Sequence, residues 1–172
     1  MEIYLIRHTT PLVEKGICYG QTDLDITDSF EEEVDMIRPH IPSNNIKVYS
    51  SPLQRCKKLA AALYHPNLVE CHADLMELNC GDWEMQKWDD IPKAEIQPWM
   101  DDFVNVTVPN GESYVTLHQR VVNPTPLKES FDAFTLHYGC VVKINVSESG
   151  LAHELLYNYS RQGKEWHRPT KN

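Results

Sequence analysis

Apolar and polar positions fall into blocks along this chain, and the period changes from block to block. Residues 2–6, "EIYLI", make a short, mainly apolar run of the kind a buried strand shows. "TTPLVEKGICYGQTDLDIT" follows, rich in Thr, Gly and Asp, and reads as a loop. In "DSFEEEVDMIRPHI" Phe30, Val34 and Ile37 recur at helical spacing, with Asp28 the expected cap and an acidic first turn that suits the helix dipole. "NNIKVYSS" predicts a second strand ending near Tyr49. The next helix is expected to open in "SPLQRCKKLAAALY", with Ser51 as N-cap, Pro52 at the first helical position and Gln54 completing a capping box. Arg55 then lies in a first helical turn just past the carboxyl end of a strand.

"NLVECHADL" reads as a third strand or extended segment, and "MELNCGDWEMQKWDDIP" as a Trp-rich loop with a Gly turn. "KAEIQPWMDDFVN" predicts a short helix interrupted at Pro98, and "GESYVTLHQRVV" a turn that becomes a helix. "FTLHYGCVVKINV" and "GLAHELLYNYS" predict two strands joined by the turn "SESG". No internal repeat is visible. Strands alternating with helices point to one α/β domain over residues 1–160, a three-layer α/β/α sandwich with a mostly parallel central sheet, followed by a polar tail over 161–172. In such sheets ligands bind beyond the carboxyl ends of the strands, where Arg7, His8 and Arg55 all fall.

Composition narrows the partners. The chain has 172 residues, 41% hydrophobic and 24% charged, and a formal net charge of −9. That charge disfavours a nucleic-acid or anionic-membrane surface, so an anionic ligand needs a local cluster of Arg set against the overall field. Five cysteines without a C-x-x-C pair suit neither a disulfide framework nor a zinc site. No signal-like start and no membrane-length apolar run is read, so a soluble, cytoplasmic protein is expected, with no metal and no cofactor.

The chemistry-bearing stretch is "LIRHTTP", where a core strand ends in Arg7-His8. A phosphoryl group needs convergent cationic donors, and the planar fork of Arg donates two hydrogen bonds while staying charged. A neutral imidazole can attack phosphorus and hold the group covalently. A nearby carboxylic acid can protonate the departing alkoxide and then act as base toward water. Glu77, in a loop beside Trp83, is the candidate, on the expectation that partial burial there raises its pKa. Each feature has a plainer alternative: Arg55 a solvated helix residue, Glu77 a surface carboxylate, Trp83 and Trp88 core or lid packing. For His8 the plain alternative is weakest.

"LIRHTTP", "GQTDLDIT", "YSSPLQRCKKLA", "ELNCGDWE" and "PNGESY", in that order, resemble the motifs of the histidine phosphatase (phosphoglycerate mutase-like) superfamily, and its α-ribazole phosphatase branch most closely. The resemblance runs from residue 2 to about Arg120 and resumes at Pro126. It implies that His8 is a nucleophile that becomes phosphohistidine, that Arg7 and Arg55 clamp the phosphoryl oxygens, and that Glu77 is the proton donor. It further implies that Thr9, Gly20, Gln21 and Thr22 line the substrate side, with Glu112 and Ser113 supporting the site. The expected partner is a small phosphorylated metabolite, α-ribazole 5′-phosphate of cobalamin nucleotide-loop synthesis being the first candidate. Oligomeric state stays open.

Two departures accompany the resemblance. Thr9 stands where the family has Gly, which restricts close backbone approach to a phosphate but adds a hydroxyl donor. The family's later strand, ending in a second His followed by Gly-Gly, is missing, with the break near 122–125. His137 lies in a later segment that the family also has and is no substitute. Losing such a strand-helix unit of roughly 30 residues exposes sheet edges and apolar surface, and losing one donor to the transition state costs about 10²–10³ in rate. Three readings stay open: residues are left out of the printed chain, which is preferred; the protein is a deletion variant needing a partner; or it binds phosphate esters without turning them over. A phosphoglycerate mutase-type phosphotransferase ranks lower, because the stretch between Glu77 and Gly111 leaves little room for a larger recognition insertion.

Overall fold

A computed structural model describes residues 1–122, 136–148 and 150–158. In chain order the elements are β1 (Glu2–Ile6), α1 (Phe30–Ile37), β2 (Val48–Ser50), α2 (Gln54–Leu63), β3 (Val69–Cys71), α3 (Lys93–Asp101), α4 (Tyr114–Val122), β4 (Val141–Ser147) and β5 (Gly150–Tyr157). Single 3-10 turns, among them Ala73–Leu75, Gly81–Trp83 and Trp88–Asp90, punctuate the loops. No described helix is long and apolar enough to cross a membrane. The break near 122–125 and the polar tail over 161–172 fall on, or run into, residues outside the described set.

The strands pair differently from the expectation of a mostly parallel sheet. β1, β4 and β5 form one antiparallel sheet in the order β1-β4-β5, while β2 and β3 pair parallel on their own. The turn between Ser147 and Gly150 dictates part of this, since a connection that short joins only antiparallel strands. Tyr4, Ile6, Val141 and Tyr157 pack inward with Phe30, Val34 and Ile37 of α1 and Leu59 and Leu63 of α2. The opposite face carries Ile3 and Leu5 opposite Ile144 and Val142. Leu5 is 53% exposed there and Leu151 49%. The described helices α1 and α2 belong to the core of the first face, and the apolar side chains of Ile3, Leu5 and Leu151 on the opposite face are exposed.

A second core cluster lies under the loops: Cys18, Leu78, Cys80, Trp83, Ile91, Ile96, Trp99 and Val108, flanked by Trp88, Phe103 and Tyr114. It is aromatic at its centre, with Trp83 edge-on to Trp99 at 5.7 Å and Trp88 stacked on Trp99 at 6.0 Å. Trp83 is therefore core, as its plainer alternative held.

Several helix ends depart from expectation. The N-cap position of α1 is Ser29 rather than Asp28, and its hydroxyl makes no cap but donates to Glu33 Oε1 at 2.6 Å. α2 begins at Gln54, so Ser51 and Pro52 precede it and no capping box forms. Its first amide is met from a distance: Gln54 N and Nε2 donate to the Asp23 carboxylate at 2.6 and 3.2 Å. A carboxylate there also suits the positive end of the helix. α3 runs through Pro98 instead of breaking, the proline removing one backbone donor in a helix held by buried Ile96 and Trp99. Residues 136–140 are not strand; Gly139, at φ +70°, turns the chain so that β4 starts at Val141.

Candidate active site

β1 delivers Arg7 and His8 at its carboxyl end. The Arg7 amide donates to Cys140 O at 3.1 Å and Gly139 N donates to His8 O at 3.0 Å, extending the β1–β4 pairing past the strand. His8 is 9% exposed, and its Nδ1 lies 2.7 Å from Thr9 O. A carbonyl only accepts, so Nδ1 carries a proton, and in the neutral ring the lone pair is then on Nε2. The Arg7 guanidinium donates to Leu136 O and sits 4.2 Å over the Tyr138 ring, which in turn lies 5.4 Å from the His8 ring. Tyr138 OH and Tyr19 OH are 2.5 Å apart. Burial pushes the Tyr19 phenol up against the opposing pull of Tyr138, Arg7 and Arg55, so it stays a neutral hydroxyl at pH 7.

These residues open on a recess of about 130 Å³ lined by Arg7, His8 and Glu77 together with Ile17, Tyr19, Leu78, Cys80, Trp88, Trp99 and Tyr114. Three of the four residues assigned to catalysis are thus brought together. Arg55 is not among the lining residues: it is fully buried, and Nη1 and Nη2 donate to Thr22 O at 2.8 Å and Gly20 O at 2.6 Å. Its Nε is buried with no hydrogen-bond partner among the described residues. Thr9 is fully buried too, its Oγ1 likewise without one, and Gly20, Gln21 and Thr22 are not among the lining residues. Glu77 is exposed, with Oε1 accepting from Leu78 N at 2.8 Å. The burial against Trp83 expected to raise its pKa is not found, because Trp83 turns into the core.

Glu84, not singled out in the sequence, organises the loop behind Arg55. Its carboxylate accepts from the amides of Gly20 at 3.0 Å, Gln21 at 2.7 Å, Thr22 at 3.2 Å and Cys80 at 3.1 Å, and from the Thr22 hydroxyl at 2.5 Å. Burial works against its ionisation, but the Thr22 hydroxyl and the amides outweigh it and hold the carboxyl below the usual range. Gly20 is required at this crossing: a Cβ there would stand 1.9 Å from Leu78 O. The 9–27 loop is stitched to the same region by Cys18 N to Gln86 O and Met85 N to Cys18 O, both 2.8 Å. Nothing local marked Glu84, whose partners in the loop lie more than 60 positions earlier.

Glu77 is held through its backbone. Arg120 Nη2 donates to Glu77 O at 2.8 Å, Nη1 to Asp74 O and Met76 O at 2.7 Å each, and Nε to Glu112 Oε1 at 2.8 Å. Glu112 Oε2 accepts from Asn79 N at 2.9 Å, and Gln21 Nε2 donates to Glu77 O at 3.1 Å. Ser113 caps α4 by accepting from Thr116 N at 3.2 Å. The Arg120 hydrogen bond holds the Glu112 carboxyl below the usual range despite partial burial. A depressed carboxylate stabilises the fold fully above its unfolded pKa, about 4.3, and that stability is lost as pH falls through the folded value. Thermal melts of the wild-type chain are therefore expected to fall steeply below about pH 4, and Glu112→Gln to flatten that fall while lowering the melting temperature at pH 7. An unchanged acid limb in Glu112→Gln rules the linkage out.

Residues 3–125 match the model of the histidine phosphatase superfamily (branch 1), the match ending where the motif order breaks. No curated protein gives a significant match. Among solved structures, the α-ribazole phosphatase from Shigella flexneri is 20% identical with a TM-score of 0.76, covering 91% of this chain and 96% of that one. The phosphoglycerate mutase from Thermus thermophilus is 22% identical with a TM-score of 0.70, covering 91% of this chain and 100% of that one. At such identities the likeness is one of fold, a phosphoglycerate mutase-like α/β fold.

Proposed function

Because the chain belongs to the histidine phosphatase superfamily, we propose that it hydrolyses phosphate monoesters through a phosphohistidine at His8. The observation that carries this is the His8 ring itself, buried beside Arg7 at the recess with Nδ1–H donated to Thr9 O and the nucleophilic lone pair on Nε2. In the first step Nε2 bonds to phosphorus as the P–O ester bond breaks. Arg7 balances charge on the phosphoryl oxygens, and the Glu77 carboxyl gives its proton to the leaving alkoxide. In the second step the Glu77 carboxylate takes a proton from water, whose oxygen bonds to phosphorus as the N–P bond breaks, releasing inorganic phosphate. Arg55 Nε is a candidate further donor, while its two Nη groups hold the Gly20–Thr22 backbone.

Of natural esters, α-ribazole 5′-phosphate is the first to assay, on the motif resemblance and the likeness to the Shigella flexneri enzyme. Acid-labile, alkali-stable protein label is expected when the chain is quenched during turnover of a ³²P-ester. Turnover without any such label would eliminate the covalent step.

A second reading, a binding protein for phosphate esters, draws on the commitment of Arg7 Nη1 to Leu136 O and of both Arg55 Nη groups to loop carbonyls. Saturable binding of inorganic phosphate with no ester turnover would place it first.

A further inference from the structure

The lining of the recess is of two chemical kinds, and the aromatic kind describes the alcohol part of the ester. This inference rests on the phosphoryl-transfer reading of His8. Beyond Arg7, His8 and Glu77 the wall is Ile17, Tyr19, Leu78, Cys80, Trp88, Trp99 and Tyr114. Trp88 and Trp99, both in that lining, stack at 19° between their planes, and their indole N–H groups are buried without a hydrogen-bond partner among the described residues. The Tyr19 hydroxyl is bonded to Tyr138. Among the described residues the side chains of this part of the lining include no carboxylate, amide or guanidinium; its polar groups are tyrosine hydroxyls and indole N–H donors, so the hydroxyls of a polyol find no carboxylate or amide acceptor there when buried. The recess measures about 130 Å³ in all, which limits the alcohol to a compact group.

We propose that this site selects phosphate monoesters whose alcohol carries a single flat aromatic ring next to the ester oxygen, seated against Trp88 and Trp99, over esters of polyols. The ring contributes apolar contact, and the short distance from ring to phosphorus matches a small recess whose lining holds both His8 and the indoles. An ester joined to its ring through a ribose, as α-ribazole 5′-phosphate is, is expected to fall between these classes.

The test compares benzyl phosphate with glycerol 3-phosphate on the full chain. Both leave as primary alkoxides, so their ratio reads recognition rather than leaving-group chemistry. Benzyl phosphate is expected to exceed glycerol 3-phosphate at least about ten-fold in kcat/KM. Trp88→Phe should keep most of that ratio and Trp88→Leu should bring it to near unity. A wild-type ratio near one overturns the proposal, as does a ratio that Trp88→Leu leaves intact. If neither ester is turned over and no phosphohistidine forms, the hydrolase reading fails, yet the recess is still decided by binding. Quenching of tryptophan fluorescence by benzyl phosphate at concentrations where glycerol 3-phosphate is silent supports the aromatic seat, and equal or absent responses overturn it.

Discussion

His8→Ala is expected to lose phosphatase turnover by about 10⁴-fold or more, the scale seen when a covalent nucleophile is removed from machinery that acts as a unit. The alkali-stable label should vanish with it. The fold should survive, because the hydrogen bond to Thr9 O that the substitution removes is worth about 1 kcal/mol and His8 lines a recess rather than either core cluster. A variant that melts near the wild-type temperature, binds inorganic phosphate and forms no label would isolate the loss to chemistry. Label that persists in His8→Ala would move the nucleophile elsewhere and end the assignment. Glu77→Gln should act differently, slowing turnover by about 10²–10⁴ while still permitting the phosphohistidine to form with esters of acidic alcohols, which need no proton on leaving.

Glu84→Ala should be the most damaging single substitution for stability outside the core. It leaves four backbone amides and the Thr22 hydroxyl without their acceptor, each unmet buried donor costing about 1–3 kcal/mol before water intervenes. With partial exposure and non-additivity, a loss on the order of 3 kcal/mol is reasonable, which for a chain of this size lowers the melting temperature by about 10 °C. Activity should fall as well, since Arg55 is anchored to the carbonyls of the same loop. Glu84→Gln should resemble Ala more than wild type, because its amide NH₂ would face backbone N–H groups. A Glu84→Ala melting temperature within about 2 °C of wild type would mean the loop is held by other contacts.

Local pattern identified most elements. The strand over 2–6, the helix carrying Phe30, Val34 and Ile37, the short strands around Tyr49 and Glu70, and the hairpin over the last described residues are all present. Their spacing reflects which face each element buries, a property written into adjacent residues. Helix starts were less legible. Ser51-Pro52-Gln54 has the composition of a capping box, yet Asp23, 31 positions earlier, meets the Gln54 amide, and a cap supplied across the fold leaves no local signature. Pairing was also hidden, since β1 adopts β4 as its neighbour across more than 130 positions.

By itself, then, the sequence determined that Arg7 and His8 end a strand, that Glu77 sits in a loop, and that the motifs run in the order of the histidine phosphatase superfamily, because residue type and spacing act at short range. Only the tertiary structure decided the rest. It put Arg7, His8 and Glu77 around one recess, turned Arg55 and Thr9 inward behind it, and left Glu77 exposed while Trp83 took the core. It also assigned Glu84 and Arg120 to hold the loops on which the site is built. The reason is physical: a buried hydrogen-bond donor or acceptor must find a partner wherever the folded chain brings one, and that partner is chosen by the whole fold rather than by its neighbours in sequence.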